Sequence, residues 1–116
     1  MADGEVRTIR FEAHLVDLIL RGVKTATTRI GRRRFTPGQQ VLFAGPDNLP
    51  RGMLRITGVD HLSLEELDDP LAAEENLPSA TALKAELRRI YGARIEKEPL
   101  TVIRFHLFDR FDPPTA

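Results

Sequence analysis

"FEAHLVDLILRGVKTATTRI", residues 11–30, decides the fold because its periodicity changes halfway. In the first half Leu15, Leu18 and Ile19 recur at helical spacing. Glu12 precedes them at the positive end of the helix dipole and Arg21 follows at the negative end, which predicts a helix over residues 12–21. Gly22 stands where a left-handed C′ residue belongs. From Thr25 to Ile30 small and β-branched residues alternate, which suits a short strand. Val6 to Phe11 reads as a strand as well, so the stretch begins and ends in a strand with one helix between.

Working outward, "RRRFTPGQQ" is a loop closed by a Pro-Gly turn. Strands are predicted at Gln40–Ala44 and Gly52–Val59, separated by the loop "GPDNLPRG". "SLEE", Ser63 to Glu66, has capping-box spacing and should open a short helical segment. Ser79 can cap a further helix that presents Leu83, Leu87, Ile90 and Tyr91 on one face and ends at Gly92. In the last predicted strand, Thr101 to Phe108, Ile103, Phe105 and Leu107 point one way and Val102, Arg104 and His106 the other. Five or six short strands with helices inserted among them give an α+β class, a small curved sheet or barrel flanked by two main helices. Strictly alternating βαβ units are absent, which argues against a doubly wound parallel sheet.

The 116 residues suffice for one domain, 1–116, that buries about two thirds of its unfolded surface. Its core is expected over 6–108, with 109–116 as a loose tail. The 17 basic and 17 acidic residues cancel, so the chain as a whole is not a general polycation for nucleic acid. Their distribution is uneven: residues 1–59 carry 10 basic against 5 acidic side chains, and residues 60–116 carry 7 against 12. Arg21 to Arg34 holds six basic residues and no acid, while Asp60 to Glu75 holds seven acids and no base. Segments of opposite sign can face each other, which would bring Lys24 to a glutamate. The chain has no cysteine, which excludes disulfides and thiol nucleophiles and fits a reducing compartment. "MADGEVRTIRF" lacks a signal peptide's apolar core, and no apolar run reaches the roughly 18 residues of a membrane span. The expectation is a soluble cytoplasmic protein.

On the strand after Gly22, Thr25, Thr27 and Arg29 share one face and Ala26, Thr28 and Ile30 the other. Lys24 falls in the preceding turn, and the spacing permits a Lys24/Thr27/Arg29 cluster without requiring one. A desolvated lysine near other cations loses basicity and can accept a proton from a hydroxyl or a water. Alternatively, Lys24 merely complements a helix C-terminus and the threonines are ordinary strand residues. Arg32, Arg33 and Arg34 are either a solvated basic loop or anion ligands, of which one or two could grip the same phosphate. Glu74 and Glu75 are either helix-surface charge or include one carboxylate that reaches a pocket. His14, His61 and His106 are too scattered for a metal site, and no Gly-rich phosphate loop is present. No cofactor or metal is expected.

"GVKTATTR", Gly22 to Arg29, resembles the G-x-K-x-x-T-x-R signature of ASCH domains, small relatives of the PUA-like RNA-binding barrels. The resemblance extends to the lead-in "FEAHLVDLILRG", the acidic "AEEN", the "LKAELRRIYG" helix and the closing "LTVIRFHLF", covering about residues 6–108. It implies a PUA-like β-barrel with a cleft lined by the signature and a link to RNA or modified nucleosides. The branch it most resembles consists of small bacterial amidohydrolases that remove the acetyl group of N(4)-acetylcytidine with a Lys, a Thr and a Glu. By this resemblance the catalytic residues are Lys24, Thr27 and Glu75, with Glu74 as the alternative carboxylate. Arg29 is a ligand or carboxylate partner. "NLPSATA" at 76–82 is about one residue longer than that branch's pattern, and "IGRRRF" is more basic than a neutral nucleoside needs. An RNA-binding module with ribonuclease activity, in which Arg29 and Arg32 to Arg34 meet phosphate, is the rival reading.

Overall fold

Two long antiparallel strands carry the sheet. The computed structural model describes residues 6–111. Its elements run β1 (Thr8–Arg10), α1 (Ala13–Leu20), β2 (Ala26–Ile30), β3 (Gln40–Ala44), β4 (Pro50–Leu62), α2 (Asp69–Glu74), α3 (Ala80–Tyr91) and β5 (Leu100–Arg110). A 3-10 turn at Leu64–Glu66 precedes α2, and another at Gly92–Glu96 follows α3. The five strands lie in the order β1-β3-β4-β5-β2 and curl into a half-barrel; β1 runs parallel to β3 and the other pairs are antiparallel.

β5 lies inside the sheet between β4 and β2, and its residues alternate between two cores. Val102 packs with Ala26, Ile30, Leu71, Ala72, Leu83 and Leu87, the side covered by α2 and α3. Ile103 and Phe105 pack with Phe11, Val16, Ile19, Phe43 and Leu54, the side covered by α1. The two faces predicted for this strand thus correspond to two hydrophobic layers.

Both long strands outrun their predicted ends. β4 begins at Pro50, a first-strand position where a missing N–H is tolerated, and continues through Asp60, His61 and Leu62, which pair with Val102, Thr101 and Leu100. Asp109 and Arg110, assigned to the tail from sequence, pair with Met53 and Gly52; residues 112–116 of that tail lie outside the described residues. α2 was not foreseen as a separate helix. Its start is nevertheless written locally: the Asp68 carboxylate accepts from the Leu71 N–H at 3.0 Å and Pro70 sits in the first turn.

Gly52 lies where β3 and β4 shift register, opposite Phe43. A Cβ there would collide with the Asp109 carbonyl oxygen and stand 2.8 Å from Phe43 Cε1. Backbone cannot yield as a side-chain tip can. Gly52→Ala is therefore expected to cost about 3 kcal/mol, read as a lower urea midpoint at unchanged slope.

Candidate active site

Gly22 adopts φ +76°, the left-handed conformation that its place after α1 requires. The N–H groups of Gly22, Val23 and Lys24 then return to the Ile19 and Leu18 carbonyls at 3.0, 3.0 and 3.2 Å, so the turn is fixed to the end of α1. The next amide, Thr25 N–H, donates to the Glu74 carbonyl at the end of α2, at 2.8 Å. This one backbone bond brings the two segments together. Lys24 precedes it in the turn before β2 and Glu75 follows it at the C-terminal cap of α2, and their side chains meet.

Lys24 Nζ donates to Glu75 Oε1 at 3.4 Å, with only 4 % and 6 % of the two residues exposed. The Thr28 hydroxyl donates to the other carboxylate oxygen, Oε2, at 2.6 Å. Thr27, 5 % exposed, stands beside them, and its hydroxyl oxygen accepts from Arg29 Nε at 3.3 Å. Lys24, Thr27, Thr28, Arg29 and Glu75 all line one cavity of about 280 Å³ between α1 and α3. Leu15 and Leu18 of α1 and Leu83, Leu87 and Ile90 of α3 supply its apolar walls. A concave apolar site with a few convergent polar groups is the usual form of a small-molecule pocket.

Burial sets the electrostatics. Desolvation pulls the Lys24 ammonium below its ordinary pKa, opposed by the Glu75 charge and hydrogen bond. Desolvation likewise pushes the Glu75 carboxyl up, against the stabilising effects of Lys24, Thr28 and Arg29. Both members of the pair are thus moved toward their neutral forms, as acid–base chemistry near neutral pH requires.

Arg29 spans the open side of the half-barrel. Its Nη2 donates to the Arg10 carbonyl at 2.7 Å and its guanidinium lies 4.8 Å from the Phe11 ring centroid, tying β2 to the end of β1 where the two edge strands do not pair. It hydrogen-bonds Thr27 rather than Glu75. Glu74 turns away from the cavity: Arg104 Nε reaches its two carboxylate oxygens at 2.9 and 3.3 Å, and Arg104 also bonds Asp60 at 2.6 Å. The adjacent left-handed Asn76, φ 61°, ends the helix just past Glu75.

Arg32, Arg33 and Arg34 do not line the Lys24 cavity. Arg33 donates through Nε to the Ile30 carbonyl at 2.9 Å, and the Arg34 carbonyl accepts from Arg7. Arg32 borders a separate depression with His61, Glu65, Glu66, Glu96 and Glu98. Among the described residues no three His, Cys, Asp or Glu side chains group as a metal ligand set, and no helix is long and apolar enough to cross a membrane. Thr28 escaped the sequence reading because strand parity places it on the face opposite Thr27. The available signal was a lone hydroxyl between Ala26 and Ile30, which on a buried face demands a partner.

No known family profile and no curated protein matches the sequence. Solved structures do. A DUF984-family protein of Enterococcus faecalis V583 superposes with a TM-score of 0.78 at 17% identity, over 90% of this chain and 77% of that one. An ASCH domain of Lactobacillus crispatus JV V101 follows with 0.74 at 21% identity, over 91% and 81%. The chain has the ASCH-domain fold. An ASCH protein of Zymomonas mobilis gives 0.67 at 14% identity, over 85% of this chain and 65% of that one. On this ASCH fold the signature segment 22–29 forms the turn and edge strand that wall the cavity.

Proposed function

We propose that this cavity hydrolyses the amide of an acylated nucleoside, N(4)-acetylcytidine by preference, with Lys24, Thr27 and Glu75 as catalytic residues. The observation that carries the reading is the buried Lys24–Glu75 pair at the end of a cavity that also holds the Thr27 hydroxyl. Its 280 Å³ suits a small molecule, and its apolar walls suit the faces of a base.

Lys24 in its neutral form takes the proton of the Thr27 hydroxyl, or of a water beside it, as that oxygen adds to the acetyl carbonyl. Arg29, donating to the same Thr27 oxygen, favours the negative charge that builds there. Glu75 gives its proton to the exocyclic nitrogen as the carbon–nitrogen bond breaks, releasing cytidine. Acetate leaves directly where water attacked, or after hydrolysis of a Thr27 acetyl ester.

The test is incubation of purified protein with N(4)-acetylcytidine, following cytidine. No turnover at high enzyme concentration, or undiminished turnover in Lys24→Ala, ends the proposal. Glu74 and Glu75 should separate in the same assay. Glu74→Gln disrupts a half-exposed ion pair with Arg104 and is expected to retain turnover within about threefold, at a stability cost of ~1 kcal/mol or less. Glu75→Gln removes the acid itself.

The rival RNA reading needs several phosphate contacts beside Lys24, and residues 32–34 lie outside its cavity. Turnover of the nucleoside should therefore change little between low and high salt. An RNA ligand would instead show a log–log slope of about −0.7 per phosphate contact.

A further inference from the structure

Thr28 occupies the middle of a buried strand face whose other members, Ala26 and Ile30, pack in the apolar core under α2 and α3. Valine has its shape and would fill that place without a polar group. A hydroxyl there must be matched, since an unpaired buried hydroxyl is costly. It is matched to one atom, Glu75 Oε2, at 2.6 Å. Thr27, one residue earlier, takes its hydrogen bond from Arg29 and makes none to the carboxylate. The two threonines therefore do different work.

Resting on the catalytic reading of this cavity, we infer that Thr28 is a positioning residue for Glu75: its hydroxyl holds Oε2 as an acceptor, so that the proton Glu75 delivers is carried on Oε1. Oε1 is the atom facing Lys24 Nζ at 3.4 Å. A hydroxyl has one proton, and this one is spent on Oε2. Protonating Oε2 instead would set two hydrogens against each other across 2.6 Å or force the hydroxyl to rotate away from its acceptor. The carboxyl is thereby held with its acidic edge toward Lys24 and the substrate. The same hydrogen bond also favours the ionised carboxylate, opposing the burial that raises it.

Other titratable groups line the cavity around this carboxyl, Arg10 at the end of β1 among them. Lys24 and Arg29 flank it along the β2 segment, Glu12 and His14 stand at the start of α1, and Glu86 and Tyr91 face the cavity from α3. None of these is altered by a change at Thr28, which isolates its effect.

The experiment compares wild type with Thr28→Val, which keeps the branched shape, and Thr28→Ser, which keeps the hydroxyl. The Glu75 carboxyl carbon is titrated by 13C NMR in each folded protein, without substrate. The valine variant should titrate at higher pH than wild type, and the serine variant should return toward it. With N(4)-acetylcytidine, Thr28→Val should lose about ten- to a hundredfold in kcat with KM nearly unchanged, and its basic limb should move to higher pH; serine should recover most of the rate. An unmoved Glu75 titration in the valine variant overturns the inference, as does a serine variant that behaves like valine. Should Thr28→Val fail to fold, Thr28→Ala is read by the same criteria. Failure of wild type to turn over the nucleoside would sink the proposed activity alone, because the titration needs no substrate and still decides whether Thr28 governs Glu75.

Discussion

Glu75→Leu is expected to destabilise the fold by about 3–5 kcal/mol, while Lys24→Met/Glu75→Leu recovers most of that loss. The single change leaves an ammonium that is 4 % exposed without its carboxylate. It also strands the Thr28 hydroxyl, whose acceptor is Glu75 Oε2. Lys24 can respond only by losing its proton, and its pKa, already lowered by burial, falls further without the charge that opposed this. The double change removes both desolvated charges and fills the place with apolar side chains among Leu83, Leu87 and Leu18. Denaturant unfolding of the four proteins of the cycle measures the coupling. A Glu75→Leu variant as stable as wild type would mean that the pair is hydrated rather than buried.

The sign of the pH dependence follows. Glu75 has a raised pKa when folded, so between its ordinary value and the raised one the folded chain holds a proton the unfolded chain has released, and stability falls as pH rises through that window. Lys24 is lowered, so between its lowered value and 10.5 the unfolded chain holds the extra proton and stability rises with pH. Wild type therefore pays most for this pair at pH values between the raised value of Glu75 and the lowered value of Lys24, and there the double variant should compare best with it.

That a fold holds so costly a pair argues that it serves something other than stability. Much of this arrangement was legible in the sequence. The change of period across residues 11–30 placed α1, the Gly22 turn and β2, and the opposite signs of 21–34 and 60–75 anticipated a meeting of Lys24 with a glutamate. What the sequence could not distinguish was which glutamate. Glu74 and Glu75 are adjacent and chemically alike, and only the Thr25–Glu74 backbone bond and the left-handed Asn76 turn one outward to Arg104 and the other inward. Residues 32–34 carry the same charge as Lys24 but sit past the end of β2, where Gly31, φ +89°, turns the chain away. Strand parity misled at Thr28 because the cavity lies at an edge strand, where residues of both faces reach its rim and floor.

Glu75→Gln and Lys24→Met are each expected to lower kcat by about 10²–10⁴-fold on N(4)-acetylcytidine, the range that a positioned acid or base supplies. In the proposed chemistry Lys24 must be neutral and Glu75 protonated. That state holds the same number of protons as the ion pair, differing only in which side of a 3.4 Å hydrogen bond the proton occupies. In water the ion pair would win overwhelmingly, since the two ordinary pKa values lie far apart. Burial raises one and lowers the other, so it brings the reactive tautomer within reach without any proton drawn from solvent. Activity should accordingly follow a bell between the two apparent pKa values of the pair, lost at low pH as the pair gains a proton and at high pH as it surrenders one. Glu75→Gln keeps an amide oxygen for Thr28 and much of the side chain's shape, but removes the charge that raises Lys24. In the acid limb Glu75 is already neutral, so that limb of the residual activity should stay in place or move to higher pH as Lys24 titrates alone, and the basic limb due to Glu75 should vanish. A Glu75→Gln variant whose profile keeps both limbs in place would show that the carboxyl takes no part in the proton transfer.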